Sequence, residues 1–142
     1  MPSRVTHTGK ARIWDLTGLS VTRIVVDPAQ VSLLLNAGFV GDSDEIHLII
    51  ENSFAIRKTD GTTDAVNPAV VETLAPVLTL RLRPALSLVA GRDGSLSLRF
   101  ADGVELEVRK HDRYEAWQTA GRGKFADANM LCSAHEGPPW DE

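Results

Sequence analysis

The chain has one cysteine among its 142 residues, Cys132, and this thiol lies three positions before His135. A thiolate forms readily beside a base or a cation, so Cys132 with His135 or His111 has the composition of a nucleophilic pair. However, Cys132 follows Met130-Leu131 in an apolar segment, where an inert structural thiol is the more frequent arrangement. We therefore predict no catalytic residue.

Metal binding needs three or four ligands at suitable spacing. Cys132 and His135 provide two, and the other histidines, His7, His47 and His111, are isolated in the sequence. The sequence therefore predicts neither a metal site nor a cofactor.

Two carboxylates, Glu105 and Glu107, alternate with apolar residues and would lie about 7 Å apart on one face of a strand. Acid–base chemistry requires a carboxyl whose pKa is raised by burial or by crowding with like charges. The predicted register instead places Arg99 opposite Glu105 on the face in contact with water. This arrangement indicates a solvated sheet face.

A basic turn, Gly121-Arg122-Gly123-Lys124, is the first candidate binding site. It lacks the full spacing of a phosphate-binding loop and does not lie between a clear strand and a clear helix. Arg122 and Lys124 are nevertheless predicted to contact an anion, because they lie in a flexible turn.

Arg81, Arg83 and Arg99 are the second candidate, predicted on one exposed face where a protein partner could bind. Nucleic acid fits this face poorly, because the net charge is −4, nearby glutamates neutralise it and few aromatic residues are available for stacking. Trp140, in the Pro-rich terminal segment 137–142, either packs on the domain or joins these arginines in binding a partner.

The elements that must position these residues are mostly strands. Apolar and polar residues alternate most regularly from Val77 to Val108, which is typical of strands with one buried face. Apolar residues lie opposite each other across a hairpin, which pairs Leu98 with Leu106 and leaves Ala101-Asp102-Gly103 as a three-residue loop. A second hairpin closes at 91–94, so three consecutive antiparallel strands are predicted. The alternation begins with Leu78, Leu80 and Leu82, which are separated by Thr79 and Arg81.

The first half shows a similar pattern. Residues 19–26 and 28–37 read as strands, although Asp27-Pro28 is also compatible with a capped helix over the second segment. Residues 46–56 read as a hairpin around 51–53. A shift of 50 positions superimposes this hairpin on 96–106, which indicates an internal duplication.

Two short helices are also predicted. Residues 67–74 begin with a capping Asn and a Pro, and Pro76 would end that helix. Residues 112–120 place Tyr114 and Trp117 on one helical face. Residues 130–132 read as a final short strand, and both Trp14 and Trp117 are expected at the ends of the sheet core.

The predicted fold is a β-rich α+β domain. Two related antiparallel meanders form a sheet, a sandwich or a small open barrel, with one or two short helices. The single domain, 1–142, is divided into a flexible N-terminal tail (1–12), a first meander (14–58), a loop and connector helix (59–76), a second meander (77–108), a C-terminal segment (109–136) and a tail (137–142).

The longest apolar runs are far shorter than a membrane-spanning helix, and no stretch of signal-peptide length follows the polar first ten residues. A cytoplasmic protein without membrane contact is therefore expected. An exposed sheet edge would also allow a homodimer.

Three motifs resemble a family of small uncharacterised actinobacterial proteins. These motifs are Trp14-x-Leu16-x-Gly18, the stretch from Gly94 to Gly103, and Tyr114-Glu115-Ala116-Trp117-Gln118. The family is similar in style to the immunity proteins of bacterial toxin systems, which are small β-rich binders without catalysis. The resemblance implies a fold type and no catalytic residue.

The function expected from these observations is a non-enzymatic protein-interaction module of the immunity or inhibitor type. The alternative is a binder of a small molecule or anion that uses a cavity between the two halves. Partner capture would support the first function, whereas stabilisation by a metabolite would support the second.

Overall fold

Alternation of apolar and polar residues produces strands along most of the chain. The computed structural model describes residues 5–38, 44–110 and 116–132. These residues form twelve strands, one short α-helix and two short 3₁₀ turns. The strands of the first half are β1 (Val5–His7), β2 (Ala11–Asp15), β3 (Ser20–Asp27), β4 (Gln30–Asn36), β5 (Glu45–Ile50), β6 (Phe54–Arg57) and β7 (Thr63–Val66). Helix α1 (Ala75–Leu78) precedes β8 (Ala85–Gly91), β9 (Leu96–Phe100), β10 (Glu105–Val108), β11 (Trp117–Arg122) and β12 (Met130–Cys132).

The strands form two antiparallel sheets. The larger sheet has the order β1-β2-β8-β9-β10-β6-β7, and the smaller sheet has the order β12-β11-β5-β4-β3. Neither sheet closes into a barrel within the described residues. The β-rich architecture predicted from the alternation is therefore confirmed.

One hydrophobic cluster contains the buried residues of both sheets. Trp14 on β2 and Trp117 on β11 are almost completely buried in it, while their predicted position at the ends of the core stays a prediction. Each indole N–H has a partner: Trp14 Nε1 donates to Asp127 Oδ1 at 3.1 Å, and Trp117 Nε1 donates to the Gly94 carbonyl at 2.9 Å. Burial of both rings is therefore compatible with satisfied hydrogen bonding.

The meander of β8, β9 and β10 has the predicted register. Leu98 lies opposite Leu106, and Arg99 lies opposite Glu105. The Phe100 N–H donates to the Val104 carbonyl at 2.9 Å, which closes the three-residue loop. Gly103 has the left-handed φ of +96° that this loop requires.

The predicted hairpin around residues 51–53 is wrong. β5 pairs with β4 and β11, whereas β6 pairs with β10 and β7, so the chain crosses from one sheet to the other between them. Leu48 and Ile56 therefore do not lie opposite each other, unlike Leu98 and Leu106. The internal duplication stays a prediction from the sequence.

Three other segments differ from expectation. Residues 77–84 form the end of α1 and a turn instead of a strand. In place of the predicted helix over 67–74, the chain forms a short 3₁₀ turn at Val71–Thr73, and Pro76 lies in the first turn of α1 instead of ending a helix. Residues 117–122 form β11 instead of a helix or a flexible turn, because burial alternates along Trp117–Arg122. Parts of the N-terminal segment 1–12 lie in β1 and β2.

Other sequence predictions are confirmed. Residues 30–36 form β4, which resolves the choice between strand and helix in favour of the strand. Residues 20–27 form β3 and residues 130–132 form β12. No helix in the described ranges is long and apolar enough to cross a bilayer.

Candidate interaction surface

The connector between β7 and β8 begins with a closed turn. The Asn67 N–H donates to Thr73 Oγ1 at 2.9 Å, and Thr73 Oγ1 donates to the Val70 carbonyl at 2.8 Å. A 3₁₀ turn, Val71–Thr73, leads through Leu74 into α1. Pro76 is tolerated at the start of α1, where a backbone N–H has no helical partner.

Leu82 ends the helical part of the connector. The Arg81 N–H still donates to the Leu78 carbonyl at 3.3 Å, but Leu82 has a left-handed φ of +62°. This position after a helix is usually occupied by glycine. The Leu82 N–H donates to the Val21 carbonyl at 2.6 Å, so the turn is fixed to the start of β3.

The connector and the following strand β8 carry several exposed apolar side chains, which together we name the connector surface. Exposure reaches 76% for Val71, 65% for Leu78 and 59% for Leu82. Val77 and Leu80 point into the core from the same segment and are completely buried. The connector surface consists of Val70, Val71, Leu78, Leu82 and Leu86.

Arg81 and Arg83 both lie in this segment, but they have different surroundings. Arg81 is exposed. Arg83 forms an ion pair with Asp102 in the β9–β10 loop, and its Nε donates to the Thr79 carbonyl at 3.3 Å. Arg83 therefore holds the connector against the meander, while Arg81 extends into solvent beside the leucines.

Arg99 is not on the connector with Arg81 and Arg83. It lies on β9 at the outer face of the larger sheet, where its Nε donates to Glu105 Oε2 at 3.0 Å. Glu105 also forms an ion pair with Arg57 on β6. Glu105 and Glu107 line a shallow 190 Å³ concavity on this outer face, together with Ala55, Arg57, Thr63 and Arg109.

The predicted anion-binding residues, Arg122 and Lys124, lie close in the chain, and each contacts a carboxylate. Arg122 Nη2 is 2.6 Å from Glu45 Oε1, and this hydrogen bond raises the pKa of the guanidinium. Lys124 Nζ is 3.8 Å from Asp44 Oδ2. These carboxylates compete with any anion for the two cations.

The turn containing Arg122 is fixed rather than flexible. Gly121 lies so close to the following 3₁₀ turn that an added Cβ would be 1.8 Å from the Phe125 carbonyl oxygen. The Lys124 N–H donates to Asp44 Oδ1 at 3.0 Å, which ties this turn to the start of β5. The glycine at position 121 is therefore explained by close packing against the 3₁₀ turn.

Other predicted residues lie partly or wholly outside the described residues. Cys132 ends β12, whereas His111, His135 and Trp140 lie outside. Within 5–38, 44–110 and 116–132, no group of three His, Cys, Asp or Glu side chains is arranged to hold a metal ion.

A second concavity, of 340 Å³, lies on the outer face of the smaller sheet. Its lining includes Arg23, Val25, Leu34 and His47. The ligand-binding alternative predicts a cavity between the two halves, whereas this concavity is lined by residues of the smaller sheet. The outer concavity is a surface feature of one sheet.

The exposed leucines were missed in the sequence because their alternation resembled that of a buried strand. The signal in the sequence that argues against a strand here is the pair of prolines, Pro76 and Pro84, on either side of the segment. Proline restricts the preceding residue and lacks a donor for a sheet, so a short segment between two prolines has little room for a central strand.

Comparison with known proteins gives one match. Residues 12–136 match the model of a family of unknown function, DUF6188. No curated protein and no solved structure matches the chain.

Proposed function

We propose that this chain, which belongs to the DUF6188 family of unknown function, is a non-enzymatic protein-interaction module that binds its partner through the connector surface. The proposed module is of the immunity or inhibitor type. Such a module acts by occupying a partner's surface and needs no reactive group. Part of its binding free energy would come from burying exposed apolar side chains against the partner.

The concentration of exposed apolar residues carries this proposal. Six large apolar side chains are exposed in the part of the chain that the structure describes, and five of them lie between residues 70 and 86. The sixth is Val26 on β3. Single exposed apolar residues are ordinary on protein surfaces, whereas a contiguous apolar patch is typical of an interaction site, and the proposal takes these five residues to form one.

The backbone at Leu82 supports the same conclusion. A left-handed conformation costs a non-glycine residue about 1–2 kcal/mol, and glycine would adopt it without that cost. Leu82 combines this strain with 59% exposure, so the folded chain alone gains little from a leucine here. Strained residues that persist are often found at binding sites.

Arg81 defines the chemistry of the partner. Its exposed guanidinium lies next to Leu82 in the chain, so a partner with an apolar segment flanked by a carboxylate would satisfy both. Arg83 is a positioning residue, because its ion pair with Asp102 and its bonds to Thr79 hold the turn in place. Arg99 lies on the larger sheet and is not included in the proposed site.

Affinity capture with matched variants tests this function. The tagged chain, Leu78→Asn/Leu82→Asn, Arg81→Glu and the control Arg109→Glu would be expressed in the source cells and their captured proteins quantified. Arg109 is a suitable control because its side chain is 86% exposed and it follows the end of β10, whereas Asp102, which contacts the connector, precedes the start of β10. We expect one protein to be captured by the wild type and by the control.

Capture of that protein by Leu78→Asn/Leu82→Asn should fall by about tenfold or more, because burial of a leucine side chain contributes about 1.5–3 kcal/mol. Capture by Arg81→Glu should also fall, because the new carboxylate would repel the partner's carboxylate. Thermal melting of each variant shows whether it is folded. Equal capture of the same protein by all four folded proteins would exclude the connector surface as the binding site.

A further inference from the structure

We propose that β3 is a homodimerisation edge, through which residues 23–27 of two copies pair as antiparallel strands centred on Val25. The inference uses a different surface from the connector and does not depend on it. The proposal rests on three features of β3: the backbone groups that do not pair with β4, the order of the charged residues and the exposure of Val26.

β3 is the longest edge strand of the two sheets. It has eight residues, compared with three in β1, four in β7 and three in β12. The start of the edge is covered, because Val21 exchanges backbone hydrogen bonds with Leu82 and Arg83. Across the described residues, the only backbone pairing of 23–27 is with β4.

The hairpin between β3 and β4 determines which backbone groups are free. Asp27 and Gln30 lie opposite each other around a two-residue turn, and such flanking residues exchange both hydrogen bonds. Hydrogen-bonded and non-hydrogen-bonded pairs alternate along antiparallel strands. The N–H and C=O groups of Ile24 and Val26 therefore point away from β4, towards a partner strand.

A two-fold axis at Val25 makes this edge complementary to itself. Arg23 of one copy then lies opposite Asp27 of the other, and Ile24 lies opposite Val26. Both charged residues are exposed, and neither forms an ion pair within the described residues. Val26 is 46% exposed and would be covered by the apolar Ile24 of the second copy. Opposite charges and apolar residues directly across an antiparallel pair are both favourable.

Neighbouring registers fit less well. Pairing must keep the inner faces of the two copies on the same side, which restricts it to shifts of two residues. A shift towards Ile24 places Arg23 opposite Val25, so the charges lose their partners. A shift towards Val26 brings Pro28 opposite Ile24, and proline has no N–H to donate. The register centred on Val25 is the one that pairs both charges and all the free backbone groups.

Charge exchange between copies gives the first test, with dimer dissociation measured by sedimentation equilibrium. Arg23→Asp alone and Asp27→Arg alone should each raise the dimer Kd by about tenfold or more, because like charges then face each other twice. An equimolar mixture of these two variants should dimerise again, since every cross-strand pair becomes opposite in sign. The double variant R23D/D27R should also dimerise.

Cross-linking gives the second test. In a Cys132→Ser background, Val25→Cys should form an intermolecular disulfide on mild oxidation, because the two Val25 Cβ atoms would lie about 4.5–5.5 Å apart. Ala65→Cys on the exposed β7 edge is the matched control and should remain monomeric. Leu78→Asn/Leu82→Asn should leave dimerisation unchanged.

A wild-type chain that remains monomeric at millimolar concentration would overturn the proposal. So would a dimer whose Kd is unaffected by either charge reversal, or equal cross-linking at Val25 and Ala65. Failure of the dimer proposal would not affect the proposal for the connector surface, because partner capture is measured separately.

Discussion

The same alternation of apolar and polar residues occurs in Leu96–Phe100 and in Leu78–Leu82. The two segments nevertheless differ in secondary structure and in the burial of their leucines. In β9, Leu96, Leu98 and Phe100 are buried between two neighbouring strands. In the connector, Leu78 and Leu82 are exposed and only Leu80 is buried. Alternation therefore identifies a strand only where the turns on both sides place neighbouring strands beside the segment, so that they can pair with it.

The turns of the two regions also differ. Gly94 and Gly103 provide the left-handed residues of the β8–β9 and β9–β10 turns, with φ of +91° and +96°. The connector uses Leu82 for the same conformation. The meander thus has glycine where its backbone requires a positive φ, whereas the connector has a leucine at such a position.

The largest predicted effect is a difference in stability between a variant of a meander leucine and a variant of a connector leucine. Leu98→Ala should lower the free energy of unfolding by about 3 kcal/mol, because it opens a cavity in the core. Leu82→Ala should change it by less than about 1 kcal/mol, because Leu82 is mainly in contact with water. Urea denaturation of both variants measures the difference. Similar losses would mean that Leu82 contributes to the core.

The sequence predicted the fold best where contacts were local. The alternation around Ala101-Asp102-Gly103 was sufficient to give the register of Leu98 with Leu106. Residues 46–56 satisfied the same rule, but their three-residue link crosses between sheets. Nothing local distinguishes the two cases, because the pairs that decide them join β5 to β11 and β6 to β10.

The candidate site was predicted in part. Arg81 and Arg83 were identified as exposed cations, but the nearby Leu78 and Leu82 were assigned to a buried strand face. Burial depends on whether a neighbouring strand is present, and among the residues that the structure describes no strand pairs with the connector at Leu78. For Arg122 and Lys124, the residue types were visible, but the facing Glu45 and Asp44 are nearly 80 positions away in the chain.

The next effect concerns the left-handed turns. Gly103→Ala should lower the free energy of unfolding by about 1–2 kcal/mol, because alanine resists a positive φ. No clash contributes, since the nearest atom to an added Cβ would be Thr59 Cγ2 at 3.8 Å. Gly9→Ala is the control, because Gly9 has open space and no positive φ. Equal effects on stability would show that backbone conformation is not the cause.

A smaller, pH-dependent effect should arise at the β8–β9 turn. Hydrogen bonds from the Ser95 hydroxyl and N–H lower the pKa of Asp93 below its usual 3.8. The ionised carboxylate therefore stabilises the folded chain fully above the unfolded pKa, and this contribution is lost as pH falls through the lower folded value. The stability difference between wild type and Asp93→Asn should shrink over that range in urea titrations. A difference independent of pH would contradict this origin.

The most direct test of the connector surface measures stability and partner binding on one variant, Leu82→Gly. Glycine removes the strain at φ +62° and deletes a side chain that is 59% exposed. We expect an unfolding midpoint equal to or above that of the wild type, together with partner capture reduced by about tenfold. A lower midpoint with undiminished capture would show that Leu82 serves the fold and that the partner binds elsewhere.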